Sequence, residues 1–308
     1  MNRVSSHHAN LIAAAVTITI GVFSSQISQA NEAANEQTSS QVSETGVGAD
    51  VDAMEVPKHK SSVSLSVGGD NVSGKNANLD ANFVLGNGGS ISAGIGSSQM
   101  KNPTDTIKTT SARVGYHTDP VEDWSFGIGL ENWGEKEKLV TNALRGDVTF
   151  LTGDWEFSAN PEIKGVQWFI EGRTRALRTT GTGLTLRTGF YGVKKVRLGL
   201  SISSYKYSNS LDRFIESDVF YESALDLASS FLRNSSSVSA SYSWTSSTLE
   251  LVLTRSQYEY LDTISQTATV SYDYDFTQSL SAGLVLGSSK SQSGTNTKFG
   301  TVSTTFRW

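Results

Sequence analysis

Cysteine is absent from this 308-residue chain. That one absence removes disulfide frameworks, Cys-type zinc sites, thiol catalysis and a lipid-modified N-terminal cysteine. Proline and histidine are scarce, four of each. Past residue 30 no apolar run approaches the roughly 18 residues of a membrane-spanning helix. Long blocks of one charge are missing, and 25 Lys+Arg stand against 30 Asp+Glu for a net charge of −5. A nucleic-acid partner is excluded on that ground, because it requires a basic surplus gathered on a stripe or patch. What the chain has instead is glycine, 28 residues of it, and an abundance of serine and threonine.

The first sixty residues divide in two. Arg3 precedes an apolar run from Leu11 to Phe23, too short to span a bilayer, and Ser28-Gln29-Ala30 has small residues where a signal peptidase cuts. Residues 1–30 therefore read as a signal peptide and the rest as an exported protein. In residues 31–60, Glu32, Glu36, Glu44, Asp50, Asp52 and Glu55 face only Lys58 and Lys60, and aromatics are absent. Such a segment buries too little apolar area to offset the entropy of ordering. It reads as a disordered acidic tether, with a pore plug as the alternative.

From residue 61 to residue 308 the sequence period is two. Val63, Leu65 and Val67 alternate with Ser64, Ser66 and Gly68; Trp124, Phe126, Ile128 and Leu130 alternate with Ser125, Gly127, Gly129 and Glu131. Ala268, Val270, Tyr272, Tyr274 and Phe276 alternate with Thr269, Ser271, Asp273 and Asp275. This is the signature of strands with one apolar and one polar face. A soluble sandwich turns the apolar face inward; a membrane barrel turns it outward against lipid. The runs are longer than the five or six residues of an average globular strand and match the roughly 9–11 residues of a tilted spanning strand. The polar face is mostly Ser, Gly, Thr and Asn, as suits a wet lumen. Trp124, Phe190, Trp244, Phe276, Phe306 and Trp308 stand at segment ends, where an interfacial girdle belongs. The fold class expected is all-β: a transmembrane antiparallel up-and-down barrel.

Counting segments gives about fourteen strands, with twelve or sixteen as alternatives. An even count puts both ends of the barrel on one side of the membrane. Among these segments are 141–152, 164–173, 182–191 and 236–244. Short connections at 86–89, 118–123, 192–195, 245–248 and 277–279 alternate with others at 99–106, 134–140, 174–181, 207–235 and 289–297. Pro103, Pro120 and Pro161 are assigned to connections, since proline cannot donate to a ladder. Residues 152–163 resist assignment because apolar residues switch from even positions (Val148, Phe150) to odd ones (Trp155, Phe157). A long turn, a bulge and a further strand are all open there. Residues 209–234 break the pattern with approximately helical spacing and read as a rim helix, or as a constriction folded inward.

The last segment, Lys298 to Trp308, ends on an aromatic with Phe306 two residues before it and Val302 further back. It resembles the C-terminal assembly signal of Gram-negative outer-membrane β-barrels, although Ser303 stands where that family often has glycine. The resemblance covers residues 61–308 as architecture and extends to small porins, with no narrower family. It implies an outer-membrane location, contact with outer-membrane lipid and recognition of Val302, Phe306 and Trp308 by the barrel-insertion machinery.

The lumen charges carry the functional expectation. Alternation points Arg145, Arg173, Arg187 and Arg197 inward on strands six to nine. Asp70, Asp80, Asp273 and Asp275 point inward on strands that stand roughly opposite. Facing walls of opposite sign focus a transverse field across a low-dielectric channel. A fourteen-strand barrel has a backbone radius of about 14 Å, which small lumen residues do not fill. The reading is a porin-like channel for passive diffusion of small polar solutes. The alternative is a non-conducting structural or interaction barrel, closed by local pairing of the arginines with Asp147 and Glu171. No catalytic residue is assigned: beyond the tether only His117 remains, beside a short turn. No His/Asp/Glu cluster has ligand spacing, so no metal or cofactor is expected. The oligomeric state is left open.

Overall fold

The computed structural model describes residues 60–308 except 87, 102–105, 136–137, 170–175, 210–230, 260–263 and 292–295. The expected signal peptide, nearly all of the tether, and most of the helix-like segment at 209–234 lie outside the described residues. The strands are β1 (Ser62–Asp70), β2 (Lys75–Val84), β3 (Ser90–Lys101), β4 (Thr106–His117), β5 (Trp124–Glu135), β6 (Leu139–Thr152) and β7 (Trp155–Trp168). They continue as β8 (Leu177–Val193), β9 (Val196–Tyr207), β10 (Leu232–Ser243), β11 (Ser247–Tyr258), β12 (Ile264–Thr277), β13 (Leu280–Ser291) and β14 (Asn296–Arg307). Each pairs antiparallel with its sequence neighbours, and β1 pairs with β14 to close a fourteen-strand up-and-down barrel.

The apolar face is the outer one. Leu65, Ile95, Ile128, Leu130, Leu186, Ile202, Leu253 and Leu286 are all exposed on the outside of the wall. In water this would be an aggregating surface; in a bilayer it is the lipid contact. Closure runs in register from Ser62 opposite Arg307 to Asp70 opposite Phe299. The Trp308 N–H donates to the Ser61 carbonyl at 3.0 Å, extending that seam by one bond. Val302, Phe306 and Trp308 all point outward from the closing strand, each about half exposed.

The two ends of the barrel differ. At the end where β1 begins and β14 stops, the connections are tight, and we call it the turn end. Gly153-Asp154 joins β6 to β7 with Gly153 at φ +54°, and Lys194-Lys195 joins β8 to β9 with Lys195 at φ +68°. The opposite, loop end holds the longest connections, at 169–176 and 208–231. There the β1–β2 turn is held by Asp70, whose Oδ1 accepts from the backbone N–H of Val72 (2.8 Å) and Gly74 (2.6 Å).

The difficult region resolves as one strand. Thr152 pairs with Trp155 across a two-residue turn, and Phe150 pairs with Phe157. Such a hairpin necessarily switches outward residues from even to odd numbers. The assignment of 164–173 as the seventh strand is thereby corrected to Trp155–Trp168, and Pro161 lies within a strand, not in a connection. The ladder accommodates it by an interruption: Arg145–Glu162 and Val148–Ala159 pair in one register, while Gly146-Asp147 and Asn160-Pro161 between them do not. The Asn160 amide donates to the Asp147 carboxylate in that gap. Gly146 leaves room for the proline ring, 3.1 Å from where a Cβ would stand. β8 and β10 also start earlier than their alternation suggests, at Leu177 and Leu232.

Candidate functional site: the barrel lumen

The inner face is built from the polar half of each alternation. Arg145 on β6, Arg187 on β8 and Arg197 on β9 stand on it, while Arg173 lies outside the described residues. Their neighbours are acids on the same side of the barrel. Arg145 Nε donates to Glu162 Oε2 at 2.7 Å, and its Nη1 lies 3.0 Å from Glu131 Oε2. Arg197 reaches Glu156 at 3.3 Å, and the Tyr191 hydroxyl donates to the same carboxylate at 2.5 Å. The Arg197 guanidinium also lies over the Tyr191 ring, 4.9 Å from its centroid. Arg187 stands between Ser158 and Ser201 of the flanking strands.

Two of the acids expected opposite, Asp80 and Asp275, have cations beside them. Asp80 accepts from Arg113 Nε (3.1 Å) and Nη2 (2.7 Å). That bond spans the intervening strand over Gly94, where a Cβ would collide with both side chains. Asp275 accepts from Arg307 Nη1 at 2.8 Å, again across one strand. Asp273 is inward two residues before it and lies against Gly283. Asp70 is engaged in the β1–β2 turn. Charge is therefore interleaved around the wall, not divided into one basic and one acidic side. Glu131 and Glu162 partner Arg145, and Glu156 partners Arg197. Asp147 is engaged by Asn160, and Glu171 lies outside the described residues.

Toward the loop end the inner face becomes aromatic. Phe231 is 2% exposed, and Trp133, Trp168 and Tyr207 meet its ring edge-on at centroid distances of 6.4, 5.5 and 5.8 Å. Lys164 lies beneath this cluster, its Nζ 4.4 Å from the Tyr205 centroid and 5.6 Å from that of Phe231. The same ammonium is 3.5 Å from Glu162. Glu162 thus links the charged level of the lumen to the aromatic one.

Three inward rings lie against glycines of the adjacent strand. Tyr205 is paired with Gly183, Tyr207 with Gly181 and Phe299 with Gly287, and a Cβ at any of these glycines would strike the ring. A ring laid over a glycine covers the bare backbone and stays close to the wall. Further toward the turn end the lining is small: Gly129, Gly199, Ser201, Ser239, Ser241 and Ser303 are inward residues there. His117 ends β4 at the turn end beside Gly127.

Alternation alone marks Arg113, Glu131, Glu156, Glu162, Lys164 and Arg307 as inward once the strand bounds are right. Glu156 and Glu162 were hidden because their strand was unassigned.

No protein-family model matches the chain, and no curated protein does. Solved structures do. A monoaromatic hydrocarbon channel, CymD, matches with a TM-score of 0.52 at 7% identity, over 81% of this chain and 88% of that one. The anion-selective porin from Comamonas acidovorans matches with a TM-score of 0.45 at 12% identity, over 81% and 98%. The KdgM porin in complex with disordered oligogalacturonate matches with a TM-score of 0.43 at 10% identity, over 80% and 99%. At such identities the likeness is one of fold, and the fold is that of the outer-membrane porin-type barrel.

Proposed function

We propose that this protein is an outer-membrane channel through which small polar solutes diffuse passively. The observation that carries the reading is the construction of the lumen. Its lining is Ser- and Gly-rich, Arg113, Arg145, Arg197 and Arg307 are held against carboxylates along the wall, and its inward rings at β8–β9 and β13–β14 lie over glycines. A barrel selected to be solid would fill that space with large side chains, as cores do. Solute identity follows from neither the charges nor the rings; interleaved charge favours small polar molecules over a strongly single-sign selectivity.

Reconstitution in planar bilayers tests the channel. Stepwise, ohmic conductance is expected, and a folded, inserted barrel that stays silent overturns it. One observation favours the second reading, a non-conducting anchor barrel: at the loop end Leu139, Val166, Trp168 and Phe231 are all at most 2% exposed. If Phe231→Ala turns a silent barrel into a conducting one, the aromatic cluster is a closure.

A further inference from the structure

The outer wall carries a second pattern that the channel reading does not use. Among the described residues the aromatic pairs of the outer wall sit at the turn end, among them Trp124 with Phe150 (4.5 Å), Trp155 with Phe190 (4.8 Å), Tyr242 with Trp244 (4.7 Å) and Tyr274 with Phe276 (5.0 Å). At the loop end the outward positions of the same wall carry cations among neutral residues. Lys75, Lys108, Arg178, Lys206, Arg255, Lys290 and Lys298 are all exposed there. Each has the parity of the lipid-facing residues on its own strand: Arg255 follows Leu249, Leu251 and Leu253 at steps of two, and Lys290 follows Leu284 and Leu286. No acid occupies an outward strand position among the described residues. Glu259, just past β11, is 3.8 Å from Arg233.

These cations form arcs. Arg255 pairs with Gln266, Gln266 with Lys290, and Lys290 with Asn296, with Lys298 diagonal to it on β14. Across the closing seam, Lys75 pairs with Gln99 and Gln99 with Lys108. Cations and amide donors alternate on strands about 4.8 Å apart, so two cations flank an amide at a separation of about 10 Å, room for one phosphate. Arg255 and Lys290 stand one or two outward positions beyond the last leucine, about 7 Å and about 14 Å along the strand. Long basic stems keep an apolar body against the wall while the head reaches a polar layer.

We propose that this rim binds the headgroups of a surrounding lipid that carries more than one phosphate, in the leaflet at the loop end. The inference rests on the membrane-spanning reading of the barrel, but not on conduction. Cations spread over β2, β4, β8, β9, β11, β13 and β14, at the level where the leucines stop, match a headgroup layer; a protein partner would call for one compact patch. Among the described residues the outward strand positions of this rim hold cations and no acid, which fits an anionic layer.

The test uses the folded full chain in a mild detergent, with lipid retention read by native mass spectrometry. The probes are a bis-phosphorylated glycolipid, its dephosphorylated form and inorganic phosphate. Retention of the bis-phosphorylated lipid is expected for wild type. A loss of about fivefold in affinity per cation removed is expected, so about a hundredfold for Arg255→Gln, Lys290→Gln and Lys298→Gln together. Lys194→Gln with Lys195→Gln, at the turn end, should leave retention unchanged. Should the triple variant fold poorly, Lys290→Gln alone must still show its share. Equal retention by the triple variant, equal binding of the dephosphorylated lipid, or displacement by millimolar phosphate overturns the proposal. The same triple variant should conduct as wild type does, since none of the three residues faces the lumen. Silence of both barrels refutes the channel and leaves the lipid result standing.

Discussion

Glu162 is the residue on which the lumen's charged and aromatic levels converge, and replacing it by glutamine tests that role. Its side chain is 5% exposed, 2.7 Å from Arg145 Nε and 3.5 Å from Lys164 Nζ, with the Tyr205 hydroxyl at 3.4 Å. At charge separations of about 4 Å and an effective dielectric near 20, each pair attracts by about 4 kcal/mol, most of it offset by desolvation. Removing one partner of a buried pair costs about 3–5 kcal/mol. Two features lower that figure here. Arg145 keeps Glu131 at 3.0 Å and is 36% exposed, and the amide oxygen still accepts one bond. The expected loss for Glu162→Gln is therefore about 2–3 kcal/mol. It can be measured by reversible urea unfolding from lipid vesicles, with tryptophan fluorescence as the probe and an unchanged m-value as the check. A companion variant sharpens the argument. Glu162→Gln with Lys164→Met removes the ammonium from beneath the Tyr205 and Phe231 rings and puts an apolar chain of similar length there. It should recover about half of the loss, because an apolar replacement of a buried ion pair is close to neutral. A single variant within about 0.5 kcal/mol of wild type, or a double variant less stable than the single, would refute this account of the network.

Other outcomes follow from the same wall. Arg187→Ser with Arg197→Ser should move the reversal potential toward cation selectivity, more at 0.01 M salt, where the Debye length is about 30 Å, than at 1 M, where it is about 3 Å; unchanged selectivity at low salt would place these residues off the conducting path. Gly183→Val should drive the Tyr205 ring off the wall, lowering single-channel conductance and costing about 1–3 kcal/mol, both visible in one bilayer and urea series. Deleting Phe306 to Trp308 removes the two outward aromatics at the end of the chain and the bond from Trp308 to Ser61, and outer-membrane yield by fractionation should fall; normal yield would separate the terminal strand from assembly.

The period of two was enough to assign inside and outside for nearly every strand, because a one-residue shift would put a whole apolar set into the lumen. The strand number followed less firmly: about fourteen could be counted, with twelve and sixteen open, because the change of phase at 152–163 fits a turn, a bulge or a further strand equally well until the β6–β7 pairing is seen. Strand bounds were a different matter. Pro161 reads locally as a loop residue, and only its neighbour explains why it is not one: opposite it, Gly146 has no side chain and the β6–β7 ladder makes no bond to lose. Which charges meet was likewise settled by the tertiary structure. Alternation places Arg145, Glu131 and Glu162 on one face, but their heights come from strand register, and Arg145 meets Glu162 because the two are cross-strand partners. Asp80 and Arg113 meet only because β3 puts a glycine between them. Side-chain direction is a property of a single strand and can be read along the chain. Cross-strand neighbours depend on turn length and on barrel closure, and these involve residues as far apart as Ser62 and Arg307.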